Sequence, residues 1–592
     1  MKKRVADILM ELLVEYGITD CFAVVGGGAM HLDNALALNE KIHKYFNHHE
    51  QACAMAAEAY ARVSGKMAAV CVTSGPGATN TLTGVVGAWQ DSLPMIVLSG
   101  QVRYDISVEK SGLPLRYRGT QEYNIVPVVK HMTKYAVMLT DPLSIKREFA
   151  KAVKIAMDGR RGPVWLDIPL DVQSAIIDER DLYPELPETV SIREMTSGDI
   201  REAYNLLKRA QRPCILAGSG IISGDARAQF ARFVDKVRLP VIGGSWVSDI
   251  FYTDHSRYYG LSGNIGPRAG NFILQNADVI LALGNSLSFR QTGFQQEGFA
   301  PNAQIIMVDA DQYEAQKPGL RLKKFIHADV KDFFRAAEGI FSDLEGTPEW
   351  FSYCNHLKER FSLYEGAEGL DLDERVCAYY FWKKFDEMAS DDAIVALGNN
   401  SANSAKLQVG VSKKGQRVIT NYTCGSMGYE LPAAIGTAIA TGKPVYCITG
   451  DGSIMMNLQE LQTIRGYHLP VKIVVFSNDG YNAFRQTCKH FFHGAYIGCT
   501  AGTGVSFPEF SDISAAFGLE FKCCERNRDL DEKLDWLFKT DHNCLLEIKQ
   551  RLDDPVTPKV MSRLKEDGTF ETPVLQDMYP FIDRDEYKEL ML

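Results

Sequence analysis

Apolar runs of strand length alternate with helical patterns along the whole chain, and this alternation limits the fold more than any other feature. In the first third of the chain, Cys21–Val25, Met67–Thr73 and Met95–Ser99 predict strands, whereas Gln51–Ser64 and Ala78–Trp89 predict helices. Strands that are apolar on both faces and are connected by helices form parallel sheets covered on both sides. The pattern therefore predicts an open α/β fold.

The alternation occurs three times. The second set of predicted strands contains Pro213–Ala217, Val279–Leu283 and Ile305–Asp309, and the third contains Ile394–Leu397, Val445–Thr449, Val471–Ser477 and Cys544–Ile548. Polar stretches at 178–198 and 342–348 interrupt it and predict linkers. A chain of 592 residues is too long for one core. We predict three successive open, mainly parallel-sheet domains at 1–178, 190–345 and 365–550, and an extended tail at 551–592 packed over another surface.

Charge and composition exclude several classes of protein. The 64 Lys and Arg against 74 Asp and Glu give a net charge of −10, which argues against a broad nucleic-acid surface. The N-terminal residues read as an amphipathic helix rather than a signal peptide, and no apolar run reaches the roughly 18 to 20 residues that span a bilayer. The 13 Cys lack a metal-ligand spacing and fit reduced thiols in a cytoplasm. We expect a cytoplasmic protein with no nucleic-acid or membrane partner.

The clearest chemical signal follows the predicted strand Val445–Thr449, where Gly450, Asp451, Gly452 and Ser453 occur in succession. Glycines let the backbone approach a phosphate, and a helix that begins there offers free N–H groups to a diphosphate. Asp451 and Asn478, which follows the next strand, are oxygen ligands suited to Mg²⁺, and the Gly480 carbonyl can complete the protein side. Gly-Asp-Gly and Asn-Asp-Gly are each common turn sequences. Their occurrence after two successive strands favours a site for a metal and a diphosphate.

These two segments resemble the fingerprint of thiamine-diphosphate-dependent enzymes, and the resemblance extends over nearly the whole chain. It is similar in particular to the acetolactate synthase (acetohydroxyacid synthase large subunit) branch of the decarboxylase and carboligase superfamily. The resemblance implies pyrimidine-binding, middle and diphosphate-binding domains in that order. It also implies thiamine diphosphate and Mg²⁺ as cofactors, with the metal held by Asp451, Asn478 and the Gly480 carbonyl.

The resemblance assigns Glu50, in Asn47-His48-His49-Glu50-Gln51, to the family's catalytic glutamate, which lies against N1′ of the cofactor's aminopyrimidine. A buried carboxylate has a raised pKa and can share a proton with that nitrogen, which favours the imino tautomer that activates C2. Without the resemblance, a glutamate at a helix start is more often a first-turn acid. The roles of His48 and His49 stay open.

Other segments match family loops around the cofactor. The resemblance implies that Met427 bends the cofactor into a V shape and that backbone groups around Ser426 hold its aminopyrimidine. It places Gln121 near C2, where a glutamine orients oxygen-bearing intermediates, and Gly27 in a glycine loop near the thiazolium ring. Read alone, Met427 would be a core anchor, Gln121 is about as well explained as a surface residue, and Gly27 could belong only to a tight turn. The remaining implied cofactor contacts are Asn80, Asn399, Asn400, Gly450, Gly452 and Ser453.

Two departures from the family pattern concern the substrate. Thr120 and Thr487 stand where acetolactate synthases have phenylalanine and tryptophan, so we predict a roomier acceptor site. The resemblance implies an acetolactate synthase-like transferase or lyase that decarboxylates a 2-keto acid such as pyruvate and passes the two-carbon unit to a carbonyl acceptor. The alternatives are transfer to a nucleotide-linked keto-sugar in branched-sugar biosynthesis, simple 2-keto-acid decarboxylation, diketone hydrolysis and a catalytically silent regulatory homologue. Retention of Glu50, Met427 and Asp451 favours an enzyme.

The sequence leaves FAD open. Ile305–Asp311 and His327–Val330 resemble parts of the family's flavin region, whereas Asn285–Arg290 departs from its pattern, and Gly218-Ser219-Gly220 lacks dinucleotide-binding spacing. In the family, the thiamine diphosphate site lies between the first domain of one subunit and the third domain of its partner. The resemblance therefore implies at least a homodimer, commonly a homotetramer.

Overall fold

Three six-stranded parallel sheets form the framework of the chain. The computed structural model describes residues 1–185, 195–245, 247–421, 423–564, 567 and 569–592. Alternate residues of one first-domain strand, such as Val70 and Cys71, belong to two separate hydrophobic clusters. Both faces of this sheet are therefore covered, and the prediction of an open α/β fold with three sheets is confirmed.

The first sheet has the strand order β3-β2-β4-β5-β7-β6. Its strands are β2 (Asp20–Ala23), β3 (His43–Phe46), β4 (Ala68–Val72), β5 (Met95–Gln101), β6 (Tyr135–Met138) and β7 (Pro163–Pro169), while β1 (Lys2–Arg4) and β8 (Ile176–Asp178) form an antiparallel ribbon. The helices are α1 (Val5–Glu15), α2 (Met30–Leu38), α3 (Glu50–Ser64), α4 (Pro76–Thr79), α5 (Leu82–Gln90), α6 (Val108–Ser111), α7 (Val126–Val129), α8 (Ile145–Met157) and α9 (Leu170–Ser174).

The middle sheet has a different order, β11-β10-β9-β12-β13-β14. Its strands are β9 (Pro213–Ala217), β10 (Val241–Gly243), β11 (Tyr258–Leu261), β12 (Val279–Leu283), β13 (Gln304–Asp309) and β14 (Lys324–His327). The helices are α10 (Ser197–Arg209), α11 (Gly220–Ser223), α12 (Arg227–Lys236), α13 (Arg268–Asn276), α14 (Phe289–Thr292), α15 (Val330–Ala337) and α16 (Pro348–Arg360).

The third sheet has the order β16-β15-β17-β18-β20-β19. Its strands are β15 (Ile394–Leu397), β16 (Arg417–Ile419), β17 (Val445–Gly450), β18 (Val471–Ser477), β19 (Glu520–Cys524) and β20 (Cys544–Lys549). The helices are α17 (Ala378–Met388), α18 (Ser401–Val409), α19 (Glu430–Thr441), α20 (Asp451–Ile454), α21 (Glu460–Gly466), α22 (Asn482–Phe491), α23 (Phe510–Phe517) and α24 (Leu530–Lys539).

The predicted linkers differ in what the structure shows of them. Part of the first, residues 186–194, lies outside the described residues. The second, 342–348, is packed: Leu344 is 1% exposed in the middle-domain core, and the Thr347 side chain caps α16. One apolar side chain inside a polar stretch is therefore enough to hold the segment on the domain.

The tail after residue 550 crosses the middle domain. It contains the hairpin strands β21 (Arg563–Leu564) and β22 (Phe570–Glu571) and the helix α25 (Arg584–Glu589). The buried Arg268 guanidinium donates to the Met578 carbonyl at 3.1 Å and pairs with Glu365. Asn276 donates to the Leu590 carbonyl. Among the described residues, no helix is long and apolar enough to cross a bilayer.

Helices α3 and α19 join the first domain to the third. A Cβ at Gly436 of α19 would overlap the carbonyl oxygen of Ala56 on α3, so only glycine allows this approach. At the same contact, the Tyr429 hydroxyl donates to the buried carboxylate of Glu58, which also pairs with Arg62. The two domains of one chain therefore meet through close backbone packing and a buried polar cluster.

Candidate functional site

The carboxyl ends of β15, β17 and β18 surround a cavity of about 330 Å³. Strands β17 and β18 are paired as far as Gly450 and Phe476, so the segments that follow them lie side by side. This cavity brings together most of the predicted cofactor and metal residues. Those that line it are Asn399, Asn400, Met427, Gly450, Asp451, Gly452, Ser453, Asn478 and Gly480.

Asp451 is the acidic group at the centre of this edge. It is 3% exposed, and its carboxylate accepts backbone N–H bonds from Gly452 at 2.8 Å, Asn478 at 2.8 Å and Gly480 at 3.4 Å. Burial raises the pKa of Asp451 to about 6, while these N–H groups oppose the rise. A divalent cation beside the carboxylate would favour its charged form.

Asn478 is held from two sides. Its amide nitrogen donates to Gln550 Oε1 at 3.0 Å, and Arg485 donates to its backbone carbonyl at 2.8 Å. A second Arg485 nitrogen lies 3.4 Å from the Asn478 side-chain oxygen and donates a long hydrogen bond to it, so Arg485 and Gln550 together fix the amide at the cavity wall. Gly480 has φ +154, and a Cβ there would overlap the Cys499 carbonyl, so the backbone path needs glycine.

The loop that carries Met427 is fixed by residues on both sides of it. Gly428 donates its N–H to Ser453 Oγ at 2.8 Å, and its carbonyl accepts from Asn457 at 2.8 Å. Asn399 donates to the Gly425 carbonyl at 2.8 Å. Ser426 lies next to Met427, and its hydroxyl accepts from Asn421. Met427 therefore projects from an ordered loop at the cavity wall.

The donor set of this cavity fits a magnesium diphosphate. The Asn400 side-chain amide lies at the cavity, beside the buried Glu430 carboxyl. Asp451 begins the short helix α20 directly after β17, where free backbone N–H groups collect. One carboxylate, one amide oxygen and one backbone carbonyl leave room for phosphate oxygens on Mg²⁺, which is how proteins usually hold that ion.

Glu50 belongs to a second group of residues, at the carboxyl ends of the first-domain strands. It opens α3, and Asn80 Nδ2 donates to Glu50 Oε2 at 2.9 Å. The His49 ring accepts from the Gln51 N–H and caps the helix. The Glu50 side chain is partly exposed in the single chain, whereas the sequence predicts a buried carboxylate. The packing of the single chain therefore does not give Glu50 the burial that the sequence predicts.

Gly27 and Gln121 lie at the same end of the first sheet. Gly27 begins a single 3₁₀ turn after β2, and the next residue, Gly28, donates its N–H to Thr73 Oγ1 at 2.9 Å. Gln121 is exposed with φ +61, and its carbonyl oxygen would stand 2.7 Å from a Cβ placed on Gly75. The structure thus places Gly27, Glu50, Asn80 and Gln121 around one sheet edge.

Sequence reasoning missed the residues that connect the two groups. Glu460, fully buried on α21, accepts from Asn47 Nδ2 at 2.9 Å and from the His48 N–H at 3.0 Å. Asn457 donates to Gln51 Oε1 at 3.0 Å. The segment before Glu50 is therefore clamped by the third domain of the same chain. Gln550 and Glu430 were also missed, although Gln550 lies two residues after the predicted strand Cys544–Ile548.

Among the residues that the structure describes, those lining the cavity around Asp451 all lie between Asn399 and Gln550, so none of them comes from the first domain. Thr120 is exposed beside Gln121, and Thr487 donates to the Ala483 carbonyl within α22.

A second cavity, of about 420 Å³, lies where the middle domain meets the other two, with Asp91 and Arg160 of the first domain and Thr420 of the third among its lining residues. Strand order reverses between β9 and β12, the place where open α/β sheets bind ligands. Residues after β9, β12 and β13 line the cavity there, among them Gly220, Gly284 and Asp309. Burial raises the pKa of Asp309 to about 6.

Comparisons with known proteins agree with this arrangement. Three thiamine pyrophosphate (thiamine diphosphate) enzyme models match the chain: the N-terminal TPP binding domain over 3–123, the central domain over 200–337 and the C-terminal TPP binding domain over 396–548. Acetolactate synthase, chloroplastic, of Arabidopsis thaliana is 30% identical over 591 residues, covering 96% of this chain and 84% of that protein. The isozyme 1 and isozyme 2 large subunits of acetolactate synthase from Escherichia coli (strain K12) are 30% and 28% identical, covering 94% and 92% of this chain and 95% of each relative. The chain belongs to the acetolactate synthase family of thiamine pyrophosphate-dependent enzymes.

Proposed function

We propose that this enzyme requires Mg²⁺ with thiamine diphosphate, decarboxylates a 2-keto acid such as pyruvate and transfers the two-carbon unit to a carbonyl acceptor. The observation that carries the proposal is the cavity in which Asp451, Asn478 and Met427 meet. The Glu50–Asn80 pair at a second sheet edge supplies the group that such a cofactor needs. Bound thiamine diphosphate supplies a carbon nucleophile that side chains alone do not provide.

The chain's own residues position charge and protons for this reaction. Asp451 and the Asn478 amide oxygen offer ligands to Mg²⁺, and the Gly480 carbonyl completes the protein side. The Gly452 N–H is engaged by the Asp451 carboxylate, and the other N–H groups of the loop from Gly450 to Ser453 offer hydrogen bonds to the diphosphate. The Glu50 carboxyl exchanges a proton at the aminopyrimidine nitrogen, and Asn80 holds that carboxyl in place.

The proposed active assembly is at least a homodimer. In one chain, the residues around Glu50 and those around Asp451 line different surfaces. A second copy that sets its first domain against this third domain would bring the two groups together and bury Glu50. Sedimentation of the purified protein with cofactors checks this, because a fully active monomer would contradict it.

The acceptor is a separate part of the proposal. Thr120 and Thr487 stand where the resemblance places aromatic rings of the acceptor pocket, and the smaller threonines would leave more room there. These positions favour, as the second candidate, transfer of the two-carbon unit to a bulky carbonyl acceptor such as a nucleotide-linked keto-sugar. Simple decarboxylation or diketone hydrolysis would not account for the replacement of two aromatic residues by threonine at positions 120 and 487.

The test supplies purified protein with thiamine diphosphate, Mg²⁺ and pyruvate, with and without candidate keto-sugars, and identifies products by mass spectrometry. Cofactor-dependent pyruvate consumption supports the main proposal. Acetolactate from pyruvate alone supports the acetolactate synthase-like reaction and counts against the bulky acceptor. A sugar adduct that outcompetes acetolactate supports the second candidate. No consumption with any acceptor would contradict both.

We also propose that the second cavity holds a dinucleotide such as FAD. Its position where the strand order reverses supports this, as do Gly220 and Gly284 at the strand ends. Arg160 on the rim of the cavity pairs with Glu314 at 2.7 Å, and the Glu314 carboxylate therefore already balances the positive charge of Arg160. A flavin absorption band that stays with the purified protein through gel filtration tests the proposal. Its absence after reconstitution with FAD would contradict it.

A further inference from the structure

Glu430 is a buried acid that none of the roles above uses. It is the first residue of α19, it is 1% exposed, and its two carboxyl oxygens lie 2.8 and 2.9 Å from Ser453 Oγ. Ser453 belongs to the loop that follows Asp451. Glu430 therefore lies directly behind the wall of the cavity proposed for the diphosphate.

Glu430 connects three segments of that wall. Ser453 Oγ also accepts the Gly428 N–H at 2.8 Å, which links the carboxyl to the Met427 loop. A Cβ at Gly398 would overlap the Glu430 carboxyl, so the end of β15 packs directly on it. The ends of β15 and β17 and the Met427 loop are all connected to the Glu430 side chain, directly or through Ser453. A change in the position or charge of Glu430 would therefore affect all three segments.

Among the described residues, Glu430 takes part in no ion pair. No positively charged side chain therefore balances its carboxylate. Burial raises the pKa of Glu430 to about 7, although its hydrogen bond with Ser453 opposes the rise. The titratable groups on the elements packed around it are acidic or neutral, or are engaged elsewhere. The one buried lysine among them, Lys472 on β18, donates to the Leu537 and Phe538 carbonyls. The others include Cys447 on β17, Asp451 after β17, Glu50 and the Arg62-paired Glu58 on α3, and Glu460 on α21, bonded to Asn47.

The hydrogen bond between Glu430 and Ser453 survives a change of charge. A hydroxyl both donates and accepts, and a carboxyl accepts when ionised and also donates when neutral. The carboxyl can therefore hold the loop in either state. Only the ionised state adds a negative charge behind a site for an anion, and such a charge is costly where water is excluded.

We propose that Glu430 is a positioning residue that takes up one proton from solvent when a magnesium diphosphate binds to the loop in front of it. Nothing is oxidised or reduced in this step: one proton leaves the solvent, and a lone pair of the carboxylate forms the new O–H bond with it. This inference rests on the proposed function, because it takes the diphosphate to bind at residues 450–453. It predicts that the free protein binds the cofactor more weakly as pH rises through the Glu430 titration.

The test measures binding by titration calorimetry of protein freed of cofactor, with thiamine diphosphate and Mg²⁺ as the ligand. Measurements in two buffers of different ionisation enthalpy give the number of protons taken up. Wild type is expected to lose affinity by up to about tenfold per pH unit above about pH 7 and to take up part of a proton per site. Glu430→Gln keeps the hydrogen bond and is expected to lose both the steep decline and that uptake.

Asp167→Asn is the matched control. Asp167 is fully buried, bonds to Ser99 and Gln101, and has a pKa raised to about 7 by burial, but it lies on β7 of the first domain. This variant is expected to keep the wild-type pH dependence of binding. Equal proton uptake by wild type and Glu430→Gln would overturn the inference, whereas a wild type that binds no thiamine diphosphate would instead overturn the proposed function.

A second measurement needs no variant and remains decisive if Glu430→Gln does not fold. Magnesium pyrophosphate lacks the aminopyrimidine, so it does not engage Glu50. Infrared difference spectra of wild type at about pH 8 are expected to gain the C=O band of a protonated carboxyl when this probe binds. Binding without that band would overturn the inference.

Discussion

The first and third domains have the same topology but use it differently. Their sheets run β3-β2-β4-β5-β7-β6 and β16-β15-β17-β18-β20-β19, so the strands follow one order when counted within each domain. Helices α3 and α19 occupy equivalent places, and each begins with a glutamate. Glu50 is partly exposed and bonds to Asn80, whereas Glu430 is buried and bonds to Ser453. The same topology thus carries a partly exposed glutamate in the first domain and a buried glutamate in the third.

This contrast shows that burial, rather than position in the fold, decides what an acid does. An exposed carboxyl at a helix start is available to a ligand from another molecule. An enclosed one acts on a ligand through the loops of its own domain rather than by touching it. The variants below test the two roles from the largest expected effect to the smallest.

Glu50→Gln is expected to have the largest effect. It keeps the shape of the side chain but removes the proton exchange, and the loss of a general acid or base typically costs about 10² to 10⁴-fold in turnover. Pyruvate consumption is the measurement, with cofactor affinity measured in parallel. The exposed Glu40→Gln serves as the control. Unchanged turnover in Glu50→Gln would remove the functional difference between the two glutamates.

Asp451→Asn is expected to lower the affinity for Mg²⁺ and thiamine diphosphate by about 10 to 100-fold, because the metal loses a charged ligand. Calorimetric titration at fixed Mg²⁺ measures this. Excess Mg²⁺ should restore part of the binding. Wild-type affinity in this variant would place the metal elsewhere.

Glu460→Gln tests the contact between the two domains. The new amide group would face the Asn47 amide or the His48 N–H, so a buried hydrogen bond is lost at a cost of about 1 to 3 kcal/mol in the free energy of unfolding. We expect turnover to fall about tenfold, since a shift of roughly 1 Å at a catalytic group is already costly. Denaturant unfolding and turnover measure the two effects. A loss of stability with full turnover would show that the contact of Glu460 with Asn47 and His48 does not position Glu50.

Lys443→Ala is expected to change little. Lys443 pairs with Asp392 at 2.7 Å on the surface of the third domain, and both side chains are about half exposed. Exposed pairs contribute at most about 1 kcal/mol. Unfolding in denaturant measures the change, and a larger loss would mean that the domain surfaces couple to the core more strongly than the buried contacts indicate.

The sheets could be predicted from the sequence because parallel strands buried on both faces are unbroken apolar runs. Pro213–Ala217 and Val279–Leu283 have the predicted ends, and Val445–Gly450 differs by one residue. The residues of the Asp451 cavity were predictable for a similar reason, since they follow those runs directly. These positions depend on local sequence alone.

The remaining features depend on contacts between distant segments. Glu430 reads as an ordinary first-turn acid, and only the packing of Gly398 and Ser453 around it reveals its burial. Glu460 likewise reads as a surface acid on a helix until Asn47 and His48 are placed against it. The partial exposure of Glu50 depends on what surrounds the chain, which one sequence does not describe.

The glycine at 436 has a mechanical consequence. Because it brings α19 against the Ala56 carbonyl, the first and third domains of a chain pack too closely to slide past each other. We therefore expect the first and third domains of one chain to move as one unit.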